Sequence, residues 1–318
     1  VKKLNIKDIS IFLFLFFGIC SAEKVVAVFH ADTPPVIDGR LNDRCWKYTD
    51  VIDDFTPLYS LPLEPSRVRM VYDEENLYIG IEILTKNPKV LHRRIEEIRS
   101  KGNFREGFVH IRDFTNQCSV EIFIDPGATM LNHYQILFNA TGQICGHYKY
   151  QWEDVFPVLP YGRAQMTDTG WTAEIVIPHM ALENAAFDAG REWGFNIVRN
   201  DLQAVSIWKD VGPVFNTPGQ FGRMVIGDYR HWWYAVWEEG VIRSIKAVSE
   251  EMKQDSNIRQ DILNMYREVK KRIEKEKRQK VNLSSRKGFL NAYRRYNDFY
   301  PLFHRFETYY RTYRSVRE

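Results

Sequence analysis

Apolar and polar positions alternate with a period near two in a series of short segments between residues 37 and 201, and with a period near 3.6 beyond residue 240. The first pattern runs through 68–73, 77–81, 119–126, 134–139, 171–178 and 194–201, and Ile37-Asp38-Gly39 with Trp46 heads the series. Short alternating runs stopped by Gly, Pro, Asn or Asp predict half-buried antiparallel strands. In the second region, Val241, Ile245, Val248 and Met252 recur at steps of four and three, and Ile258, Ile262, Met265, Val269 and Ile273 resume after Asp255-Ser256-Asn257. These are amphipathic helix spacings, with the Asp-Ser-Asn group as stop and N-cap. Phe289, Tyr293, Tyr296, Tyr300, Phe303, Phe306, Tyr310 and Tyr313 keep the same rhythm, with an interruption expected at Pro301. The predicted fold is an all-β sandwich, antiparallel and jelly-roll-like, followed by a C-terminal α-helical extension of three or four helices.

Charge sharpens the division. The chain of 318 residues carries 44 Lys and Arg against 41 Asp and Glu, but residues 238–318 hold 20 basic and 12 acidic side chains, so what precedes them is net acidic. Two regions of different physics meet near residue 237. At the other end, Val1-Lys2-Lys3 to Lys7 is basic, Ile9 to Cys20 is apolar apart from Ser10 and Gly18, and Ser21-Ala22 is small. An apolar run of about 12 residues is short for a bilayer and fits a secretory signal peptide over residues 1–22. An N-terminal membrane anchor is the alternative. The expected organisation is therefore a signal peptide at 1–22, a sandwich at 23–237 and a basic helical extension at 238–318, secreted or periplasmic after cleavage near Ala22.

Past that segment the cysteines are Cys45, Cys118 and Cys145, an odd number, so one thiol stays free or pairs with another chain. No CxxC, no HExxH and no Cys/His cluster at zinc spacing occurs, and the glycine patterns of nucleotide-binding loops are missing. The period of two puts Val120, Ile122 and Ile124 on a core face and Ser119, Glu121, Phe123 and Asp125 on the other. Gln135, Leu137 and Asn139 share one face of the next strand, so Glu121, Gln135 and Asn139 are expected on a common polar surface suited to sugar hydroxyls. Glu121 and Asp125, four residues apart on one strand, stand about 13 Å apart. Glycoside hydrolysis needs roughly 5–9.5 Å, and no nucleophile elbow is present, so the chain is expected to be non-catalytic.

Taken in order, the strand segments resemble the family 9 carbohydrate-binding modules and their secreted relatives over about residues 35–228. The resemblance implies a sandwich whose pocket grips a sugar between two tryptophans, with carboxylate, amide and arginine groups on the hydroxyls. Glu121 matches the family carboxylate and Asn139 a family asparagine. The first tryptophan would fall near Thr115, beside Phe114, and the second at Phe215, with Trp208 a few residues earlier able to serve. The arginine position is Leu137, and a glutamine position is Val198, with Arg199 beside it on the opposite face. Losing two indole faces would cost ~1–3 kcal/mol each in stacking and burial.

Trp152, in an aromatic loop, is a reserve stacking residue, while Trp46 is expected to plug one end of the sandwich and Trp232, Trp233 and Trp237 to pack the helices onto it. The resemblance also implies structural calcium, for which Asp53, Asp54, Asp73 and Asp125 are candidate oxygens. The expected partner is an oligo- or polysaccharide, with recognition or catabolism of polysaccharide as the role. A protein or envelope partner is expected for the helical tail, and nucleic acid for neither part. A sandwich that has lost its sugar and serves as an interaction scaffold is the alternative, and an activity associated with glycoside hydrolases a third.

Overall fold

The computed structural model describes residues 23–59, 61–101, 103–148, 156–183, 185–201, 204–212 and 214–316. The signal-peptide expectation for residues 1–22 and the stacking expectation for Trp152 lie outside the described residues. The strands are β1 (Val25–His30), β2 (Thr56–Pro57), β3 (Ser66–Tyr72), β4 (Asn76–Leu84), β5 (Gly107–Phe108), β6 (Ser119–Asp125), β7 (Tyr134–Asn139), β8 (Gln143–Tyr148), β9 (Tyr161–Thr167), β10 (Gly170–Pro178), β11 (Glu192–Asn200), β12 (Val205–Ile207) and β13 (Gly222–Ile226). One helix, α1 (Pro88–Arg99), crosses over between β4 and β5.

Their order is β5-β8-β7-β6-β11-β13-β1-β3-β4-β10-β9, with β12 and β2 attached at β11. β1 belongs to two sheets, because Val25 to Val28 register with β13 while Phe29 and His30 register with β3. The ribbon therefore divides at β1 into a first sheet ending in β5 and a second ending in β9. Their facing sides close one core, where Ile122, Ile136, Phe195 and Ile197 of the first sheet belong to the same cluster as Met70, Ile79, Trp171 and Ile175 of the second. That is the expected β-sandwich. It departs from a purely antiparallel one in that β1 pairs in parallel with both β13 and β3, and β5 with β8.

The Ile37-Asp38-Gly39 segment is a turn rather than a strand, built around the buried Glu174 of β10. The amides of Asp38 and Gly39 donate to one Glu174 oxygen at 3.0 Å each, and Trp46 Nε1–H donates to the other at 2.9 Å. Trp46 then packs with Val71, Tyr78 and Val176 on the outer side of the second sheet, so it covers a face instead of plugging an end. Gly80 lies beneath it, where a Cβ would press on the Leu41 side chain at 2.8 Å and the Trp46 ring at 3.3 Å.

The helical region starts earlier than residue 238. α2 (Tyr229–Trp233) runs through a π-helical turn at Tyr234–Ile242 into α3 (Arg243–Gln254), and α4 (Gln260–Lys277) and α5 (Arg286–Ser315) complete three helical runs. Asp228 caps the first by accepting from the amides of Arg230 and His231 at 2.9 Å. Asp255 ends α3, but α4 begins after Arg259 without a side-chain cap. α5 continues through Pro301 without the expected interruption. The aromatic stripe is a packing surface split between two neighbours. Phe289 and Tyr293 join Tyr229 and Trp232 against Val25, Ala27 and Val225 on the outer side of β1 and β13. Phe299, Phe303, Phe306 and Tyr310 instead join Trp237, Val241, Val248 and Ile273 in a separate helical core. No helix among the described residues is long and apolar enough to cross a membrane.

Cys45, Cys118 and Cys145 are all free. Burial pushes their thiols up, Cys45 to about 11 and Cys118 and Cys145 to about 12. A thiol reagent at neutral pH is expected to leave Cys118 and Cys145 unlabelled in the native protein and to label both after denaturation, because the thiolate is the nucleophile. Rapid native labelling of either, read by mass spectrometry, would contradict the buried placement.

Candidate functional site

The outer side of the first sheet is where the period of two sends Glu121. In register across β6, β7 and β11, Glu121 faces Leu137 on one side and Val198 on the other. One step along, Phe123 faces Gln135 and Asn196. β8 adds Cys145 opposite Leu137 and His147 opposite Gln135. These side chains form a polar chain on an otherwise apolar surface. His147 Nε2 lies 2.6 Å from Gln135 Oε1, and Gln135 Nε2 donates to Glu121 Oε2 at 2.6 Å. Asn200 Nδ2 donates to the other Glu121 oxygen.

The chain has one consistent polarity. Burial, then the neighbouring His133, pulls His147 down to about 4, so at neutral pH it is an uncharged imidazole that can donate through Nε2 to the amide oxygen. Gln135 is thereby turned with its amide nitrogen toward the carboxylate. Burial raises the Glu121 pKa, and the bonds from Asn200 and Gln135 oppose that shift. Glu121 and Asn200 remain partly exposed, whereas Gln135 and His147, on the same face, are buried.

Rings stand on both sides of this row. Phe114 packs with Leu137, Cys145 and Val109. Phe215 packs with Val198, Phe123, Ile207, Val211 and Phe221. Leu137 and Val198 are the two cross-strand neighbours of Glu121, so each ring belongs to the cluster flanking the carboxylate on its own side, and both rings are only partly buried.

The other expected site residues are placed differently. Trp208 is fully buried in the sandwich core, with Nε1–H donating to Asp54 at 3.0 Å, and its ring is closed off from any ligand. Asn139 is fully buried at the β7–β8 turn. Its oxygen accepts from the Thr141 and Gln143 amides, and its amide nitrogen donates to Thr115 O and Gln143 Oε1. It lies on the Glu121 face of the sheet, as expected, but it is fully buried and its polar atoms are engaged in shaping the turn. Gln135 does join Glu121 on the same face, as a buried neighbour. His147 and Asn200 were not anticipated. Alternation along β8 and β11 puts them on this face, but only the strand register brings them beside Gln135 and Glu121.

The four carboxylates considered for calcium do not form a cage. Asp125 accepts from the amides of Thr129 and Met130, Asp73 from those of Glu75 and Asn76, and Asp54 pairs with Lys24 at 2.7 Å. Among the described residues no group of three or more His, Cys, Asp or Glu side chains gathers as for a metal ion.

No family model and no curated protein matches the chain. Solved structures do. The chain is similar in fold to family 9 carbohydrate-binding modules. Two are structures of such a module from Caldicellulosiruptor kristjanssonii, in complex with cellotriose (19% identity, TM-score 0.44) and with glucose (19%, 0.45). They cover 64% of this chain and 94% and 95% of the modules. A third is a putative carbohydrate-binding protein from Bacteroides uniformis, at 12% identity and TM-score 0.44, covering 64% of this chain and 99% of that one.

Proposed function

We propose that the outer side of the first sheet around Glu121 binds a saccharide without cleaving it, and that the protein works in recognition of polysaccharide outside the cytoplasm. The observation that carries this reading is the Glu121 row itself: a partly exposed carboxylate held by two amide side chains, with the Phe114 and Phe215 clusters on its two sides. A carboxylate offers four acceptor sites, and amide donors on it fix its plane. Vicinal sugar hydroxyls need such fixed acceptors, and flanking ring faces suit the apolar face of a pyranose. Two phenyl rings in place of indoles present less surface, so weak binding is expected. The saccharide-bearing neighbours are consistent with this reading, and the matching of Glu121 and Phe215 to family positions adds to it.

Replacing Glu121 by Ala removes a charged acceptor worth about 1.5–3 kcal/mol, roughly ten- to a hundredfold in affinity. Calorimetry against cello-, xylo- and manno-oligosaccharides would measure it. Wild-type binding that survives Glu121→Ala unchanged, in a variant with unaltered circular dichroism, would remove the assignment. Phe114→Ala and Phe215→Ala are each expected to weaken the same interaction.

A scaffold reading is favoured by one specific fact, that both Glu121 oxygens already have partners and Gln135 and His147 are buried. On that reading no oligosaccharide binds, and the row simply fixes the register of β6, β7, β8 and β11.

A further inference from the structure

Away from the sandwich, the second half of α4 and the middle of α5 enclose an open groove of about 750 Å³. Lys271, Arg272 and Lys275 line it from α4, Arg278 and Gln279 from just past its C-terminus, and Leu302 from α5. Two carboxylates, Glu268 and Glu274, also reach it, and Glu274 is engaged by Lys277 at 3.2 Å. Arg272 turns toward the buried Glu276 at 3.5 Å, where Arg295 of α5 meets the same carboxylate at 3.2 Å. Arg295 also donates to Gln279 Oε1 at 2.6 Å, which links α5 to the segment after α4. Lys271, Lys275 and Arg278 are exposed, and none has a carboxylate within ion-pair distance among the described residues.

The spacing of these three cations is one reason to assign them a ligand. At i, i+4 and i+7 they lie on one stripe, separated by about 6 and about 4.5 Å along the helix axis. Like charges so placed repel one another; Glu268, Glu274 and the C-terminal end of the α4 dipole offset part of that repulsion, but no carboxylate forms an ion pair with any of the three among the described residues. A row of cations along a recessed channel matches an extended chain carrying one anionic group per unit.

The shape and lining select the kind of chain. A bilayer presents a plane of headgroups and is held by a convex basic surface with apolar side chains that insert. Here the cations line a cleft, and the large exposed apolar residues of the helical region, Tyr234, Tyr300 and Val316, lie outside it. Single-stranded nucleic acid needs aromatic faces beside the cations on which bases stack, and no aromatic residue lines this groove. A chain of hydroxylated rings with carboxylates requires cations in excess, a few amide donors such as Gln279 and a small apolar contact such as Leu302, and the lining supplies these, with four cations against Glu268 and the Lys277-engaged Glu274.

We propose that the α4–α5 groove binds a linear acidic polysaccharide of the polyuronate class through Lys271, Lys275 and Arg278. This site is independent of the Glu121 face, so the protein would contact glycan at two places on one chain.

The test uses residues 23–318 with size-defined oligogalacturonate as the probe, followed by calorimetry at low and moderate salt. Wild type is expected to bind, and to bind more weakly as salt rises. Lys271→Gln/Lys275→Gln/Arg278→Gln is expected to weaken binding tenfold or more with unchanged circular dichroism. Lys246→Gln/Lys287→Gln/Arg305→Gln removes the same charge from exposed sites outside the groove and is expected to leave binding within about twofold. Glu121→Ala is expected to bind the uronate like wild type, which separates this site from the one on the sandwich. Absence of wild-type binding, or equal weakening by both triple variants, would overturn the proposal. Tighter binding to single-stranded RNA or to phosphatidylglycerol vesicles than to the uronate would overturn its class.

Discussion

Arg199→Ala is expected to lower the stability of the sandwich by about 3–5 kcal/mol, the cost of leaving a buried charge without its partner. Arg199 sits near the end of β11, on the face opposite Glu121, and its side chain is only 1% exposed. It crosses from the first sheet to the second. Nη2 donates to Glu64 Oε2 at 2.8 Å and to Asp201 at 3.3 Å. Nη1 reaches the carbonyls of Glu64, Pro65 and Leu84 at 3.0–3.3 Å, at the start of β3 and the end of β4. One guanidinium therefore ties the end of β11 in the first sheet to the paired start of β3 and end of β4 in the second, which no strand pairing joins to β11, and its fork geometry is what lets it do so.

Removing it leaves Glu64, 6% exposed, with the Lys86 amide and the Thr85 hydroxyl as its remaining donors. It also takes a donor from the carbonyls of Glu64, Pro65 and Leu84, of which Pro65 keeps the Leu84 amide at 3.0 Å. Urea unfolding would measure the loss, and a fall in Tm of roughly 10 °C is expected for a chain of this size. Arg199→Lys is expected to recover only part of the loss, since an ammonium cannot span the carboxylates and carbonyls together. Arg199→Met with Glu64→Leu is expected to recover most of it, because replacing both ions with apolar groups removes the desolvation cost along with the attraction. An Arg199→Ala protein within about 1 kcal/mol of wild type would show that water enters and takes over the role.

Arg199 also marks the limit of what alternation can reveal. A period of two correctly put it opposite Glu121, yet pattern alone says nothing about a carboxylate 135 residues away that makes a buried arginine tolerable. The same limit explains Trp208. Lying a few residues before Phe215, it is close to the expected site along the chain, but its burial depends on Gly222, where a Cβ would stand 2.6 Å from the indole. Strands with strong alternation, β3, β4, β6, β7, β10 and β11, were legible because one face of each is core. β1 was not, because Val25, Val26, Ala27 and Val28 are all buried: one side meets the sandwich core and the other the helices. A strand covered on both faces loses its period. α1 was overlooked although Leu91, Ile95 and Ile98 follow helical spacing behind Pro88 at its first turn. In the site, Glu121 and Gln135 were legible from alternation. His147 and Asn200 entered only once the register of four strands was known, since neighbours across a sheet are a property of pairing.

Trp232→Ala is expected to cost about 3–5 kcal/mol and to loosen the helical region from the sandwich. Trp232 is fully buried, packing edge-on to Phe289 at 5.1 Å between ring centres and tilted against Tyr293 at 5.0 Å. Its Nε1–H donates to Glu192 of β11, whose other oxygen accepts from Tyr293 O–H at 3.0 Å. The indole is therefore both the main apolar plug of the docking surface and one of two donors to an enclosed carboxylate. Burial raises the Glu192 pKa, and the two hydrogen bonds and Arg223 oppose the shift without cancelling it. A carboxyl whose pKa is higher in the folded than in the unfolded chain holds its proton more tightly when folded. Its contribution to stability is thus complete below the ordinary carboxylate range and is lost as pH rises through the raised value. Glu192→Gln is expected to flatten that part of the stability profile, leaving a smaller slope from Asp50 and Glu23, which burial also raises at the same interface. Urea unfolding at intervals from pH 4 to 8 would read both effects. A Glu192→Gln profile parallel to wild type would assign the slope elsewhere, and a Trp232→Ala protein with native stability would mean that Phe289 and Tyr293 hold the helices without it.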